Sequence, residues 1–370
     1  MSRRAVTAGA AVIVMMAASA SAAAPPVVVA ASAVLLDGPT GRVLYAAAPD
    51  VRRPPASTTK MLTALLVAES LVPETLVPIS ARAAADRSGA AIGLEVGERW
   101  TADDLMRAML MHSANDAAVA LAEAVAGSTE AFAARMNARA QRLGARHSHF
   151  VTPHGRHHPE HYSTARDLAL IARAALGVPW IAEIVRTQTW ELRRGGSARL
   201  VINTNSLLWR YPGADGVKTG WIAESGPSLV ASATRGGWQL IVVVLNSPRM
   251  FRDAAALLDY GFGAFARVQA VSAGEVVETV PVANGTRALA AAAKDTAVVT
   301  VPRAAGISRT VALTKTRAPI DRDEVVGTLV LTSRGVEVGR VALVAARDVP
   351  PRSLLARLWR WLLSMADRTR

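Results

Sequence analysis

The sequence predicts an α/β (α+β) body of strands and helices, followed by a small all-β domain and a terminal amphipathic helix. Three observations carry this. Apolar runs at 31–36 and 42–46 have strand character, and two more recur far downstream at 229–234 and 239–246. Between them lies a mostly helical, alanine-rich section from about 102 to 175. From about 266 to 347 the texture changes to short valine-rich runs broken by Gly, Pro and Asn, the pattern of an all-β unit.

Taken in order, the chain opens with Arg3 and Arg4, an uncharged Ala/Val/Met-rich run over 5–18, and small residues through Ala22-Ala23-Ala24 before Pro25-Pro26. A basic start, a short apolar stretch and an A-x-A site make a secretory signal peptide over 1–24. Its apolar part is too short to span a bilayer. The runs 31–36 and 42–46 form a hairpin about Asp37-Gly38-Pro39-Thr40-Gly41. Residues 60–70 read as a buried helix, the later strands turn at Gly236-Gly237, and a helix over 250–260 stops at Gly261. These elements divide the chain into a body at 27–263, a β-rich section at 264–348 and an amphipathic helix at 350–370. In that last segment Leu354, Leu358, Trp359, Trp361 and Leu362 share one face while Arg357, Arg360 and Arg368 share the other. Such a helix fits a membrane interface, and the same stripe also suits a helix docked on its own domain.

Composition narrows the function classes. With 51% apolar and 19% charged residues over 370 positions, the chain has a core of good size and is not disordered. The absence of cysteine excludes a disulfide scaffold, Cys-ligated zinc, iron–sulfur clusters and thiol catalysis. A net charge of +13 invites a nucleic-acid reading, but the basic residues are dispersed with no aromatic-interleaved stripe, so no nucleic-acid partner is expected. Anionic lipid heads and acidic cell-wall polymers suit an exported basic chain better. Of the 42 basic side chains only four are lysine: Lys60, Lys218, Lys294 and Lys315.

Two of those lysines fall in short motifs. Ser57-Thr58-Thr59-Lys60 is an S-x-x-K; at a helix start, positions three apart share a face, so the amine reaches the serine oxygen. A serine hydroxyl needs such a base, and lysine serves only when desolvation or a nearby positive charge lowers its pKa. Ser113-Ala114-Asn115 is an S-x-N between two helical stretches, where a turn projects a hydroxyl and an amide together; Asn115-Asp116 also reads as a helix N-cap. Lys218-Thr219-Gly220 is a K-T-G on an expected edge strand, fit to admit an extended peptide and bind its carboxylate. Each motif is weak alone, but each occurs once, in the order of penicilloyl-serine transferases.

The sequence resembles the low-molecular-weight penicillin-binding proteins that are serine-type D-Ala-D-Ala carboxypeptidases. Beyond the three motifs, Pro153-His154-Gly155, the run from His161 to Asp167 and the run from Leu257 to Phe262 look like family signatures. The resemblance implies a β-lactamase/transpeptidase-like fold, an antiparallel sheet with a helical cluster, and coverage of about 30–265. The β-rich section and terminal helix sit where the family carries a stalk and a membrane anchor. It implies Ser57 as nucleophile, Lys60 as its base and Ser113 as proton relay. Asn115, Lys218, Thr219 and Gly220 would bind substrate, and the backbone N–H groups of Ser57 and Trp221 would form the oxyanion hole. Arg249 or Arg252 are possible helpers. The implied partners are peptidoglycan stem peptides, β-lactams as covalent inhibitors and the outer face of the cytoplasmic membrane, with no cofactor or metal. Ala114, Thr152, Arg156 and Trp221 depart from the usual glycine, asparagine, leucine and tyrosine or histidine.

Other readings compete. A DD-endopeptidase of cross-links would use the same groups. A class A β-lactamase would carry Glu-x-x-x-Asn between S-x-N and K-T-G, and none of Glu123, Glu130, Glu160, Glu183 or Glu191 has Asn four residues on. Six of the seven histidines crowd into 147–161, where His154, His157, His158, Glu160 and His161 could be drawn as zinc ligands, but the spacing matches no zinc-hydrolase motif. A non-catalytic wall-binding protein is the remaining alternative.

Overall fold

A computed structural model describes residues 24–353; the expected leader and terminal amphipathic helix lie almost wholly outside the described residues. The described chain falls into two compact units, one ending at Gly263 and the other beginning at Ala264.

The first unit opens with strands β1 (Ser32–Asp37) and β2 (Val43–Ala47), paired as the expected hairpin. A 3₁₀ turn, Ala56–Thr59, leads into helix α1 (Lys60–Ala68). Short strands β3 (Leu76–Pro78) and β4 (Arg99–Thr101) flank the five-residue helix α2 (Ala81–Ala85). The alanine-rich section forms α3 (Ala102–Met111), α4 (Asn115–Ala126), α5 (Thr129–Arg142) and α6 (Ala165–Leu176), and α7 (Pro179–Arg186) follows. A second hairpin, β5 (Thr189–Arg194) with β6 (Ser197–Ile202), and the short α8 (Leu207–Arg210) precede β7 (Ala214–Gly220). Strands β8 (Ser228–Arg235) and β9 (Trp238–Leu245) and helix α9 (Met250–Ala264) complete the unit.

The main sheet has the order β2-β1-β9-β8-β7, antiparallel throughout, with β7 at one edge. This explains why apolar runs far apart in sequence have one texture: Val34 lies opposite Val243 in the centre of the sheet. Helix α1 is buried along eight of its nine residues, with α3, α4, α5, α6 and α7 around it. A helix buried on all sides shows no clean apolar stripe, so 60–70 reads simply as apolar. Three of the four helices between 102 and 176 begin at side-chain caps: Thr101, Ser128 and Thr164 each accept a hydrogen bond from the backbone N–H three residues on, whereas α4 begins at Ala114 without one.

The section 102–175 is mostly helical, as expected, and its irregular part is 143–164, where backbone groups bond to distant side chains or in isolated bridges such as His149–Tyr162 instead of in a helix ladder. One expectation is corrected. Helix α9 does not stop at Gly261 but runs to Ala264. A Cβ at position 261 would lie 2.5 Å from Leu240 and 2.9 Å from Leu35, so this glycine lets the helix approach the sheet and does not end it.

The second unit is all-β. Strands β10 (Phe265–Val271) and β13 (Ala297–Pro302) pair, while β11 (Val276–Val280), β12 (Leu289–Ala293), β14 (Ser308–Leu313), β15 (Val325–Ser333) and β16 (Val336–Ala345) form an antiparallel sheet ordered β11-β12-β16-β15-β14. Its core is aliphatic, with Leu289, Val299, Leu329, Leu331 and Leu343 buried.

Candidate active site

The two prolines before the 3₁₀ turn and the buried Ala56, held at φ +49, aim the turn at the cleft. A non-glycine residue keeps that left-handed conformation only where its surroundings impose it. The turn leaves Ser57 half-buried, while Lys60 is fully buried as the first residue of α1. Lys60 Nζ lies 3.0 Å from Ser57 Oγ, 2.7 Å from Asn115 Oδ1 and 2.9 Å from the carbonyl oxygen of His154. A neutral amine has two donors and one lone pair. Asn115 Oδ1 and the His154 carbonyl can only accept, so they take the two N–H groups and leave the lone pair for the Ser57 proton. Burial, and then the charge of Lys218, push the Lys60 pKa well below the ordinary lysine value, against the opposing pull of Asp86 and Asp116.

The S-x-N turn joins α3 to α4. Ser113, at φ +68, lines the cleft, and no side-chain hydrogen bond holds its hydroxyl among the described residues. Asn115 is not the N-cap expected of it; Ala114 occupies that position and Asn115 is the first helical residue. Its amide is used twice, Oδ1 toward Lys60 and Nδ2 donating to the Ser88 carbonyl at 2.7 Å. Asp116 is fully buried and accepts from the N–H groups of Ile92, Gly93 and Leu94 at 3.0, 2.8 and 3.1 Å, which ties the 88–94 loop beside the cleft.

The K-T-G lies at the end of edge strand β7. A Cβ on Gly220 would stand 3.2 Å from the Pro55 carbonyl and from Thr58, so glycine lets this strand pass close to the nucleophile turn. Lys218 is 1% exposed and donates to the Thr219 carbonyl at 2.9 Å. Burial lowers its pKa to about 7. The Thr219 hydroxyl lies 2.7 Å from that of Thr204, a cleft residue the motifs do not flag. Thr204 sits between Asn203 and Asn205, which build a local turn and anchor β7 through the Gly216 carbonyl.

Ser57, Ser113, Asn115, Thr219, Gly220 and Trp221 line one cleft of about 570 Å³. Lys218 stands behind it, not on its wall. Met250 and Phe251 line this end, and neither Arg249 nor Arg252 does. Trp221 is 66% exposed, so the departure from tyrosine or histidine puts an indole at the rim.

The Pro-His-Gly segment acts through its backbone. The Pro153 carbonyl accepts from Thr63 Oγ1 at 2.6 Å and that of His154 accepts from Lys60. A Cβ on Gly155, at φ +86, would fall 1.8 Å from the Ala56 carbonyl oxygen. Two of the histidines drawn as zinc ligands, His154 and His161, are buried and otherwise engaged. His161 Nδ1 accepts from the Val151 N–H at 3.0 Å, Nε2 lies 2.9 Å from Thr59 Oγ1, and burial lowers its pKa to about 3. His154 Nε2 lies 3.1 Å from Asp86 Oδ2. Among the described residues no cluster of three or more histidine or acidic side chains is arranged to hold a metal ion.

Comparison with known proteins shows which family the chain is similar to. Residues 19–249 match the family described as D-alanyl-D-alanine carboxypeptidase, and residues 265–351 match the penicillin-binding protein 5 C-terminal domain. The chain is 31% identical over 352 residues to the D-alanyl-D-alanine carboxypeptidase DacF of Bacillus subtilis, covering 91% of this chain and 90% of that one. It is 32% identical over 346 residues to the D-alanyl-D-alanine carboxypeptidase DacA of Escherichia coli, covering 88% and 85%. The crystal structure of penicillin binding protein 5 from Haemophilus influenzae superposes with a TM-score of 0.78 at 29% identity, over 89% of this chain and 99% of that one.

Proposed function

This chain belongs to the D-alanyl-D-alanine carboxypeptidase family, as a serine-type hydrolase, and from that premise we propose that it trims the terminal D-alanine from peptidoglycan stem pentapeptides through an acyl-enzyme on Ser57. The observation that carries the reading is the Ser57–Lys60 contact of 3.0 Å, with the other two positions on the amine occupied by acceptors.

An extended stem peptide lies along the open edge of β7. Thr219 meets its terminal carboxylate while Lys218, buried behind the cleft wall, supplies positive potential there, and the second lone pair of Asn115 Oδ1 accepts from its amide N–H. Ser57 Oγ attacks the carbonyl carbon of the penultimate D-alanine as Lys60 Nζ takes the hydroxyl proton. The Ser57 N–H is in the first turn of a helix, where such groups lack intrahelical acceptors, and with that of Trp221 it stabilises the oxyanion. Each such donor typically contributes about 3 kcal/mol. The C–N bond then breaks, Ser113 relaying the proton to the leaving amine of D-alanine. Water hydrolyses the ester and returns the hydroxyl. A β-lactam presents the same carbonyl and carboxylate, and acylates Ser57.

In this reading residues 27–263 do the chemistry, 1–24 direct export, 264–348 form the stalk, and 350–370 rest on the outer face of the cytoplasmic membrane, in the cell envelope. Mass spectrometry of a pentapeptide muropeptide before and after incubation tests the reaction. Loss of one alanine is expected; an unchanged pentapeptide, or scission of cross-linked dimers alone, would overturn it.

A further inference from the structure

We propose that Asp86, acting through His154 and balanced by Arg156, is a positioning residue for Lys60: it holds the carbonyl that fixes the amine and sets the amine's affinity for a proton. The inference rests on Lys60 being the base for Ser57.

Asp86 lies outside every motif, at the C-cap of α2. Its side chain is only 10% exposed, yet Oδ1 has no hydrogen-bond partner, its nearest cation being Arg156 Nη1 at 3.3 Å. Oδ2 takes the His154 ring. His154 Nδ1 accepts from the Arg156 N–H at 3.2 Å, so the ring proton is on Nε2 and is donated to Asp86. The carbonyl of that same histidine accepts from Lys60 Nζ. Between ring and carbonyl there is little freedom, because Gly155 is pressed against the Ala56 carbonyl. A change at the carboxylate is therefore felt at the amine.

The charges facing Lys60 are Lys218 from β7, Asp116 from α4 and Asp86 from the end of α2. Asp116 is bound by the backbone N–H groups of Ile92, Gly93, Leu94 and Ala117, and is part of the fold. Asp86 is the adjustable member. It is faced by His154, Arg156 and Lys60, while Arg82 on its own helix is bonded to Glu130. Burial pushes the Asp86 carboxyl up, but the His154 hydrogen bond and the surrounding cations outweigh this and hold it below the usual carboxylate range. Asp86, His154 and Arg156 also line a second cavity of about 480 Å³, which leaves room for an amide in place of the carboxylate. The Arg156 departure from leucine thus has a physical account: it is the counter-ion of a buried acid beside the base.

The sign follows. A carboxylate near Lys60 favours the ammonium, so Asp86→Asn lowers the Lys60 pKa, and Arg156→Leu, which unshields the carboxylate, raises it. The full chain has four lysines, so ε-¹³C-lysine labelling gives four resolvable titrations, with that of Lys60 assigned by its loss in Lys60→Arg. Asp86→Asn is expected to lower the Lys60 midpoint by about one unit, roughly a tenfold loss of proton affinity. Arg156→Leu is expected to shift it upward, and Asp86→Glu to leave it in place. The acid limb of penicillin acylation moves with the midpoint in each case. A Lys60 midpoint unmoved in Asp86→Asn, or moved in the same direction in Arg156→Leu, overturns the proposal. Should Asp86→Asn not fold, the Arg156→Leu and Arg156→Lys pair decides, since only the first should shift the midpoint and an unmoved midpoint in it refutes the idea. Failure of the base assignment itself shows separately, in the wild-type protein, as an acid limb that does not coincide with the Lys60 titration.

Discussion

Residue 60 has to be lysine for a reason that the other basic positions do not share. Arginine keeps its proton at any pH a protein meets, so Lys60→Arg should acylate at least about a hundredfold more slowly, the lower end of what a general base contributes. Stopped-flow acylation by a fluorescent penicillin measures this. Residue 218 has a different requirement, a charge for the substrate carboxylate, and its pKa of about 7 sets a limit on the alkaline side. The profile of kcat/KM against pH should therefore rise as Lys60 loses its proton and fall as pH passes about 7, while kcat extends further because the bound carboxylate holds the Lys218 proton. A kcat/KM flat to pH 9 would remove Lys218 from carboxylate binding. The same shift has a stability consequence. Between about 7 and the ordinary 10.5 the unfolded chain binds a proton at Lys218 that the folded chain does not, so stability should rise with pH across that window. Lys218→Met should reduce the rise in denaturant titrations at several pH values, leaving the part that comes from Lys60. At this scale the candidate site was largely legible, because the side chains of Ser57, Lys60 and Asn115, whose types name the chemistry, are the ones the fold brings into contact. Asp86 and Thr204 were not, since a lone acid in an alanine-rich run and a threonine between two asparagines carry no distinguishing pattern.

At the scale of elements, function rests on close approaches that need glycine. The nucleophile turn sits between Gly220 on one side and Gly155 on the other; at Gly155 there is no room for a methyl group, and at Gly220 one would fit only if its neighbours shifted by a few tenths of an ångström. Gly155→Ala combines a positive φ with a Cβ only 1.8 Å from the Ala56 carbonyl, so the 152–156 segment must shift and take the His154 carbonyl away from Lys60. A loss of acylation of more than tenfold is expected, together with destabilisation of about 1–3 kcal/mol, read from urea unfolding monitored by tryptophan fluorescence. Wild-type acylation in that variant would show that the carbonyl contact is dispensable. The pairs β1–β2 and β8–β9 were legible from apolar runs about glycine-bearing turns, whereas the β5–β6 hairpin was not read from the sequence. The course of 143–164 was not, because a segment whose carbonyls bond to distant side chains has no period of its own. Gly261 misled for a related reason: a glycine that permits helix–sheet packing looks in sequence like one that ends a helix.

For the whole molecule, the division at 263/264 separates a helix-rich unit that holds every candidate catalytic group from an all-β unit that holds none of them. The change to valine-rich texture marked that division because the two units bury their cores in different ways: largely Ala, Leu and Met on helices packed against one sheet in the first, mainly Val, Leu and Ala on strands in the second. If the last segment is the membrane contact, deleting 354–370 should abolish co-sedimentation with anionic vesicles and leave hydrolysis unchanged; a truncated chain that still pellets would place the contact elsewhere. The central claim is that Ser57, activated by Lys60, forms the covalent intermediate. Its most direct test is peptide mapping by mass spectrometry after brief incubation with benzylpenicillin. The account predicts one penicilloyl adduct per chain, on Ser57, and none in Ser57→Ala; an adduct on any other residue, or one that persists in Ser57→Ala, would contradict it.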